Sequence, residues 1–162
     1  MIQQVFGDVM MKALIPLFCL IALPVWAQDI PKGWVVHPSD KPYAELVDAT
    51  KAAIKENGLI VVTQAGPTKA AAARGITIPG NRVIGAFNND YAVRVLETST
   101  HAMIEAPIRF YVTENEDGSA TLSYKTPSFV FAPYASEGGQ ALLDISAELD
   151  TKFQSVAEDA VK

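Results

Sequence analysis

The stretch Pro107-Ile108-Arg109-Phe110-Tyr111-Val112-Thr113-Glu114, then Asn115-Glu116-Asp117-Gly118-Ser119, then Ala120-Thr121-Leu122-Ser123-Tyr124-Lys125, decides the fold. Residues alternate in character on both sides of a short glycine-containing loop, the pattern of two half-buried strands joined as a hairpin. Such strands must be adjacent and antiparallel, so the sheet that holds them is at least partly antiparallel. Upstream, Arg82-Val83-Ile84-Gly85-Ala86-Phe87 predicts another strand, and Asn88-Asn89-Asp90 caps a helix over Tyr91–Glu97 with Val95 and Leu96 inward. Thr98–Glu105 is then a polar connection interrupted by Met103 and Ile104.

Further upstream, Gly33-Trp34-Val35-Val36-His37 reads as a first strand, ended by Pro38 and by Ser39-Asp40, either of which can cap a helix. Leu46, Val47, Ala49, Ala53 and Ile54 recur at three- and four-residue spacing, and Asn57-Gly58 gives a left-handed exit. Leu59-Ile60-Val61-Val62-Thr63 is a β-branched strand that starts at once. Lys69–Arg74 is a short alanine-rich helix closed by Gly75, and Pro79-Gly80 marks a turn.

Downstream of the hairpin, Thr126–Ala135 holds Phe129, Phe131 and Tyr134 between Pro127 and Pro133 and is expected to pack across an apolar surface. After Glu137-Gly138-Gly139, the residues Leu142, Leu143, Ile145, Leu149, Phe153, Val156 and Ala157 fall mainly on one side of a long final helix. The whole order predicts a two-layer α+β domain, with a mainly antiparallel sheet and the long C-terminal helix packed on it. Antiparallel sheets commonly bury one face and leave the other to water or a partner.

The N-terminal segment reads as an export signal. Lys12, the apolar run Ala13–Val25 and the small Ala27 match the charged start, the apolar stretch of about ten to fifteen residues and the short side chain before a cleavage point. Pro16 and Pro24 break the run, which falls short of the roughly 18 apolar residues a spanning helix needs, so no stable membrane anchor is expected. Asp8 is out of place in a basic leader, and a start at Met11 gives the cleaner signal. The expected organisation is a signal peptide over residues 1–27 and a single domain over 28–162, located in the periplasm or secreted. Cys19 leaves with the signal, which excludes disulfides, thiolate metal sites and cysteine nucleophiles from the remainder. About 135 residues remain, enough to bury an ordinary core. The formal net charge is −5 and no basic stripe is present, which argues against nucleic acid and against an anionic membrane surface as partners.

In order and spacing the chain resembles the DUF302 family from Gly33-Trp34 to the last helix. The most specific stretches are Ala73-Arg74-Gly75-Ile76, Val83-Ile84-Gly85-Ala86-Phe87-Asn88, Leu96, Ala106-Pro107-Ile108-Arg109-Phe110, Gly118 and Tyr124-Lys125-Thr126-Pro127. The resemblance implies a compact TBP-like α+β domain, without an activity attached. Three departures stand out: Phe87-Asn88-Asn89-Asp90 replaces the usual Gly-Asn-Pro-like turn, Ala106-Pro107 the usual Leu-Pro pair, and Gln64-Ala65 an acid-histidine pair.

For chemistry, His101 and Met103 can offer nitrogen and thioether sulfur to copper, and one histidine or methionine can serve as an axial haem ligand over an aromatic pocket. Both readings are weaker than a surface histidine beside a core methionine, and no required cofactor is expected. Asn88, Arg94, Glu105, Arg109 and Tyr124 are candidates to converge at one sheet edge, against the plainer reading of a helix cap and surface ion pairs. Phe129, Phe131 and Tyr134 either fill the core, which leads, line a groove for a small apolar ligand between sheet and long helix, or build a symmetric dimer interface. No Gly-x-Ser-x-Gly elbow and no phosphate loop is present. The leading expectation is an exported, non-enzymatic binding or interaction module that forms a small homo-oligomer, a dimer foremost. A periplasmic small-ligand, haem or copper carrier is the alternative, and an enzyme working through carboxylate and histidine the weaker one.

Overall fold

The computed structural model describes residues 30–162, so the export segment and the choice of start lie outside the described residues. Five strands, β1 (Trp34–Pro42), β2 (Ile60–Ala65), β3 (Asn81–Phe87), β4 (Ile108–Glu114) and β5 (Ser119–Lys125), form one sheet in the order β1-β5-β4-β3-β2. Every pairing is antiparallel. Five helices accompany it: α1 (Tyr43–Glu56), α2 (Thr68–Ala72), α3 (Asn89–Thr98), α4 (Pro127–Phe131) and α5 (Ala135–Val161). Short 3-10 turns cover His101–Glu105 and Ala132–Tyr134. This is the expected two-layer α+β domain, with the hairpin at its centre.

Alternation in the hairpin sorts the two sheet faces. Ile108, Phe110, Val112, Ala120, Leu122 and Tyr124 point into one core with Leu46 and Ile54 of α1 and Leu142, Leu149, Phe153 and Val156 of α5. Phe110 stacks on Phe153 with ring centroids 4.5 Å apart, so β4 and the long helix meet through aromatic rings, a geometry worth about 1 kcal/mol beyond area burial. Two hydroxyls inside this layer are satisfied locally, Thr50 donating to the Leu46 carbonyl and Ser146 to that of Leu142, each at 2.7 Å. Arg109 lies on the other face and is exposed, with Tyr111 and Thr113 half-buried beside it.

Three local expectations are corrected. First, β1 does not end at Pro38 but runs on to Pro42, with Pro38 opposite Thr121. β1 is an edge strand, where a residue without an N–H is tolerated. Second, neither Ser39 nor Asp40 caps α1; the helix starts at Tyr43 after Pro42, and the Ser39 hydroxyl accepts from the Lys41 N–H instead. Third, Leu96 and Leu143 were expected inward and are 46% and 43% exposed. On each helix the inward stripe is narrow, at Ala92 and Val95 on α3 and at Leu142 and Ile145 on α5, and the next residue is rotated off it by about 100°. Thr126–Ala135 forms a helical turn that seats Phe131 in the core, with Pro127 in the first turn of α4 and the Thr126 hydroxyl accepting from the Phe129 N–H. At Gly139 the backbone departs from helical geometry with φ 58°, so α5 is a first turn followed by the long run. No helix among the described residues is long and apolar enough to cross a membrane.

Candidate ligand groove on the open sheet face

Among the described residues the large helices lie on one face of the sheet, and strand register dictates what the opposite face presents. Trp34 pairs with Lys125, Arg109 with Gly85, and Gly85 with Thr63. The β4–β5 register, continued one step beyond Phe110 and Tyr124, sets Arg109 beside Lys125. A single row therefore crosses all five strands: Trp34, Lys125, Arg109, Gly85, Thr63. The next row is Val36, Ser123, Tyr111, Val83 and Ala65.

A groove of about 460 Å³ opens over these rows, lined by Trp34, Val83, Arg109, Tyr111 and Lys125 of the strands and rimmed by Glu105 and Val130. Asn81, Ile108 and Tyr124 complete its wall. Its size lies in the range of small-molecule sites, and its walls are mostly apolar with a few charged groups. The Lys125 ammonium lies 5.8 Å from the centre of the Trp34 ring, within reach of its π-face. Among the described residues neither Arg109 nor Lys125 has an acidic partner; the four ion pairs are Lys51–Asp48, Arg94–Glu148, His101–Glu137 and Lys162–Asp159. At the rim the Tyr134 hydroxyl donates to Glu105 at 2.9 Å. That bond, more than desolvation, holds the Tyr134 phenol above its ordinary range. Gly85 carries no side chain because none fits: a Cβ there would collide with the Thr63 hydroxyl and come within 2.8 Å of the Pro107 ring.

The residues singled out from the sequence do not converge as one set. Glu105, Arg109 and Tyr124 line the groove, although the Tyr124 ring turns into the core against Phe110 and Phe153. Asn88 caps α3, accepting from the Asp90 and Tyr91 N–H groups at 2.9 and 3.2 Å, and donates to the Gly58 carbonyl. Arg94 makes a two-pronged pair with Glu148 at 2.7 and 2.8 Å on the helical side. That hydrogen bonding from Arg94 keeps the Glu148 carboxyl below the usual carboxylate range. His101 lies 2.9 Å from Glu137 and, with Met103, Leu96, Ile104 and Tyr134, borders a separate, shallow and open depression. No group of three or more His, Cys, Asp or Glu positioned for a metal ion occurs among the described residues.

The aromatic segment divides. Phe131 is 4% exposed and belongs to the core, whereas the Phe129 ring lies over Gly33, whose φ of +81° and absent Cβ make room for it. The space between sheet and helices beside Phe131 and Phe153 is only about 40 Å³, so the groove lined by Trp34 and Arg109 lies on the face opposite the one where the alternative reading placed a groove. Trp34, Tyr111 and Lys125 were missed from the sequence. Alternation on β4 and β5 already turned Tyr111 and Lys125 outward with Arg109, but Trp34 joins them only through β1–β5 pairing across about 90 residues, which no local pattern encodes.

The family described as Domain of unknown function DUF302 matches the chain over residues 35–160. A crystal structure of an uncharacterized conserved DUF302 protein from Bacillus stearothermophilus superposes with a TM-score of 0.71 at 15% identity, covering 81% of this chain and 99% of that one. At that identity the likeness establishes the fold alone. No curated protein matches the chain.

Proposed function

The chain belongs to the DUF302 family, and on that premise we propose that it is an exported, non-enzymatic module that holds a small, largely apolar ligand in the groove on its open sheet face. The observation that carries this reading is the combination of a roughly 460 Å³ cavity with two ring-bearing residues, Trp34 and Tyr111, on the sheet face that no large helix of the described residues covers. Rings left at the surface around a concavity offer apolar area that a ligand can remove from water. Export rests on Lys12, the run Ala13–Val25 and Ala27. Carboxylate–histidine catalysis is less well supported: His101 faces Glu137 at an exposed depression, whereas Glu105 is engaged by Tyr134 at the groove rim.

Nitrogen-labelled protein titrated with a set of small neutral, anionic and cationic aromatic compounds tests the reading. Amide and indole resonances of Trp34, Val83, Tyr111 and Lys125 should shift together. Shifts confined to the Leu96–Ile104 depression, or no saturable shift at millimolar compound, would refute it.

A second observation bears on assembly. β1 is blunted as an edge by Pro38, Asp40, Lys41 and a register break, whereas β2 is an uncharged, proline-free edge with Ile60 55% and Val62 45% exposed. β2 carries one register shift, between Val61 and Thr63, and no charge or proline along it. We infer that the chain forms a homodimer by antiparallel pairing of β2 with its copy, a two-fold contact that brings no like charges together. Sedimentation equilibrium should give a dimer that Val62→Lys converts to a folded monomer; a monomer for the unaltered protein at about 100 µM, well above ordinary dimer affinities, would exclude the contact.

A further inference from the structure

We infer that the ligand of the groove is an organic monoanion, a carboxylate on a flat apolar body, held by Arg109 and Lys125; the inference rests on the groove being the binding site. Arg109 and Lys125 lie side by side on neighbouring strands of an open sheet face, where like charges repel. Among the described residues neither is relieved by an acidic partner, although acidic residues outnumber basic ones by 18 to 13 in the whole sequence. A negative group placed between them removes that repulsion. Arg109 can meet a carboxylate through two parallel N–H···O bonds, a geometry an ammonium cannot offer, and Lys125 adds a point charge.

The surroundings specify the rest of the ligand. Trp34 flanks Lys125 in the same row, and Tyr111 and Val83 occupy the row behind, so the body adjoining the charged group meets rings and a branched apolar chain. Among the described residues Glu105 is the single carboxylate lining the groove, and Tyr134 donates to it. Two cations against one carboxylate leave one unit of positive charge, which matches a monoanion and disfavours a dianion such as a phosphate monoester. Apolar walls reduce the local dielectric and strengthen the pairing relative to open water.

The probes are 2-naphthoate, its neutral isostere 2-naphthamide, and 2-naphthylmethylammonium, titrated calorimetrically and by NMR into the purified protein and into Arg109→Gln, Lys125→Gln and Trp34→Leu. Arg109 and Lys125 are exposed, so their replacement leaves the core intact. Naphthoate should bind at least about tenfold more tightly than the amide, the ratio one hydrogen bond to a charged group supplies. Arg109→Gln should erase the preference, Lys125→Gln reduce it, and Trp34→Leu weaken both compounds alike. Equal binding of acid and amide, with both lost in Trp34→Leu, would overturn the anion inference while leaving the groove reading in place. Preference for the ammonium would overturn it by sign. Absence of any open-face shift with all three probes would overturn it together with the groove reading.

Discussion

Alkaline unfolding should report directly on Tyr124. Its side chain is 3% exposed, between the His37 ring at 6.2 Å, Phe110 at 5.4 Å and Phe153 at 5.6 Å. Burial first, and then the Asp150 and Glu158 carboxylates, push its phenol up to about 12 from an ordinary 10. In the unfolded chain the phenol regains the ordinary value. Below pH 10 both states keep the proton, and the contribution to stability is fully present. Between pH 10 and 12 the unfolded chain releases the proton while the folded one retains it, so stability falls with rising pH and the contribution is gone once the folded phenol ionises. A difference of about two units corresponds to at most about 2.7 kcal/mol. Urea unfolding followed by far-ultraviolet circular dichroism at intervals from pH 9 to 12 measures it, with Tyr124→Phe as the reference. The variant keeps the ring contacts and subtracts the titration of the other tyrosines and the lysines. The unaltered protein should lose about 2 kcal/mol more than Tyr124→Phe across that interval. Parallel pH profiles, differing by less than about 0.5 kcal/mol, would show that the phenol is not held in a low-dielectric setting and would refute the reasoning.

Two further predictions follow from backbone packing. Gly85→Ala should lower stability by about 1–3 kcal/mol through overpacking against Thr63 and Pro107, and Thr63→Ala should restore part of the loss; an unchanged denaturation midpoint for Gly85→Ala would contradict the close approach. Asn88→Ala removes both the α3 cap and the bond to Gly58, and should destabilise by about 1–2 kcal/mol in chemical denaturation, with Asn88→Asp keeping the cap and recovering most of that; equal losses for Ala and Asp would place the effect elsewhere.

The parts of this fold that were legible are those written in short-range periodicity. The β4–β5 hairpin, α1 with its exit at Asn57-Gly58 and the inward stripe of α5 each announce themselves within a window of about fifteen residues. The errors arose where tertiary position overrode a local signal. Pro38 ordinarily ends a strand, yet an edge position removes the penalty; Ser39 ordinarily caps a helix, yet here its residue is claimed by pairing with Ala120. Glu105 and Arg109 were recognisable as candidates because they sit just before and at the start of the hairpin, but their companion Trp34 comes from the far end of the described chain. Arg94 illustrates the converse. It is the right residue type for a site, but its two-pronged pair with Glu148 is made between α3 and α5, on the covered side of the sheet.

The distribution of side chains along the open face argues that it is more than a solvated surface. A face built only to meet water would carry small polar and charged residues evenly along each strand, as its row nearest the hairpin loop does with Thr121, Thr113 and Asn81. Moving away from the loop, the next row brings Tyr111 and Val83, and the last brings Trp34 with Lys125 and Arg109, cations with no acidic partner among the described residues. Apolar and cationic character thus rise together toward one end, where Glu105 and Val130 close the groove. Solubility alone gives no reason to place an indole and two neighbouring cations side by side, since the cations repel and the indole gains nothing from water. A bound anion with an apolar body satisfies all three groups at once, so the same end of the sheet that is least favourable when empty is the one best suited to be filled.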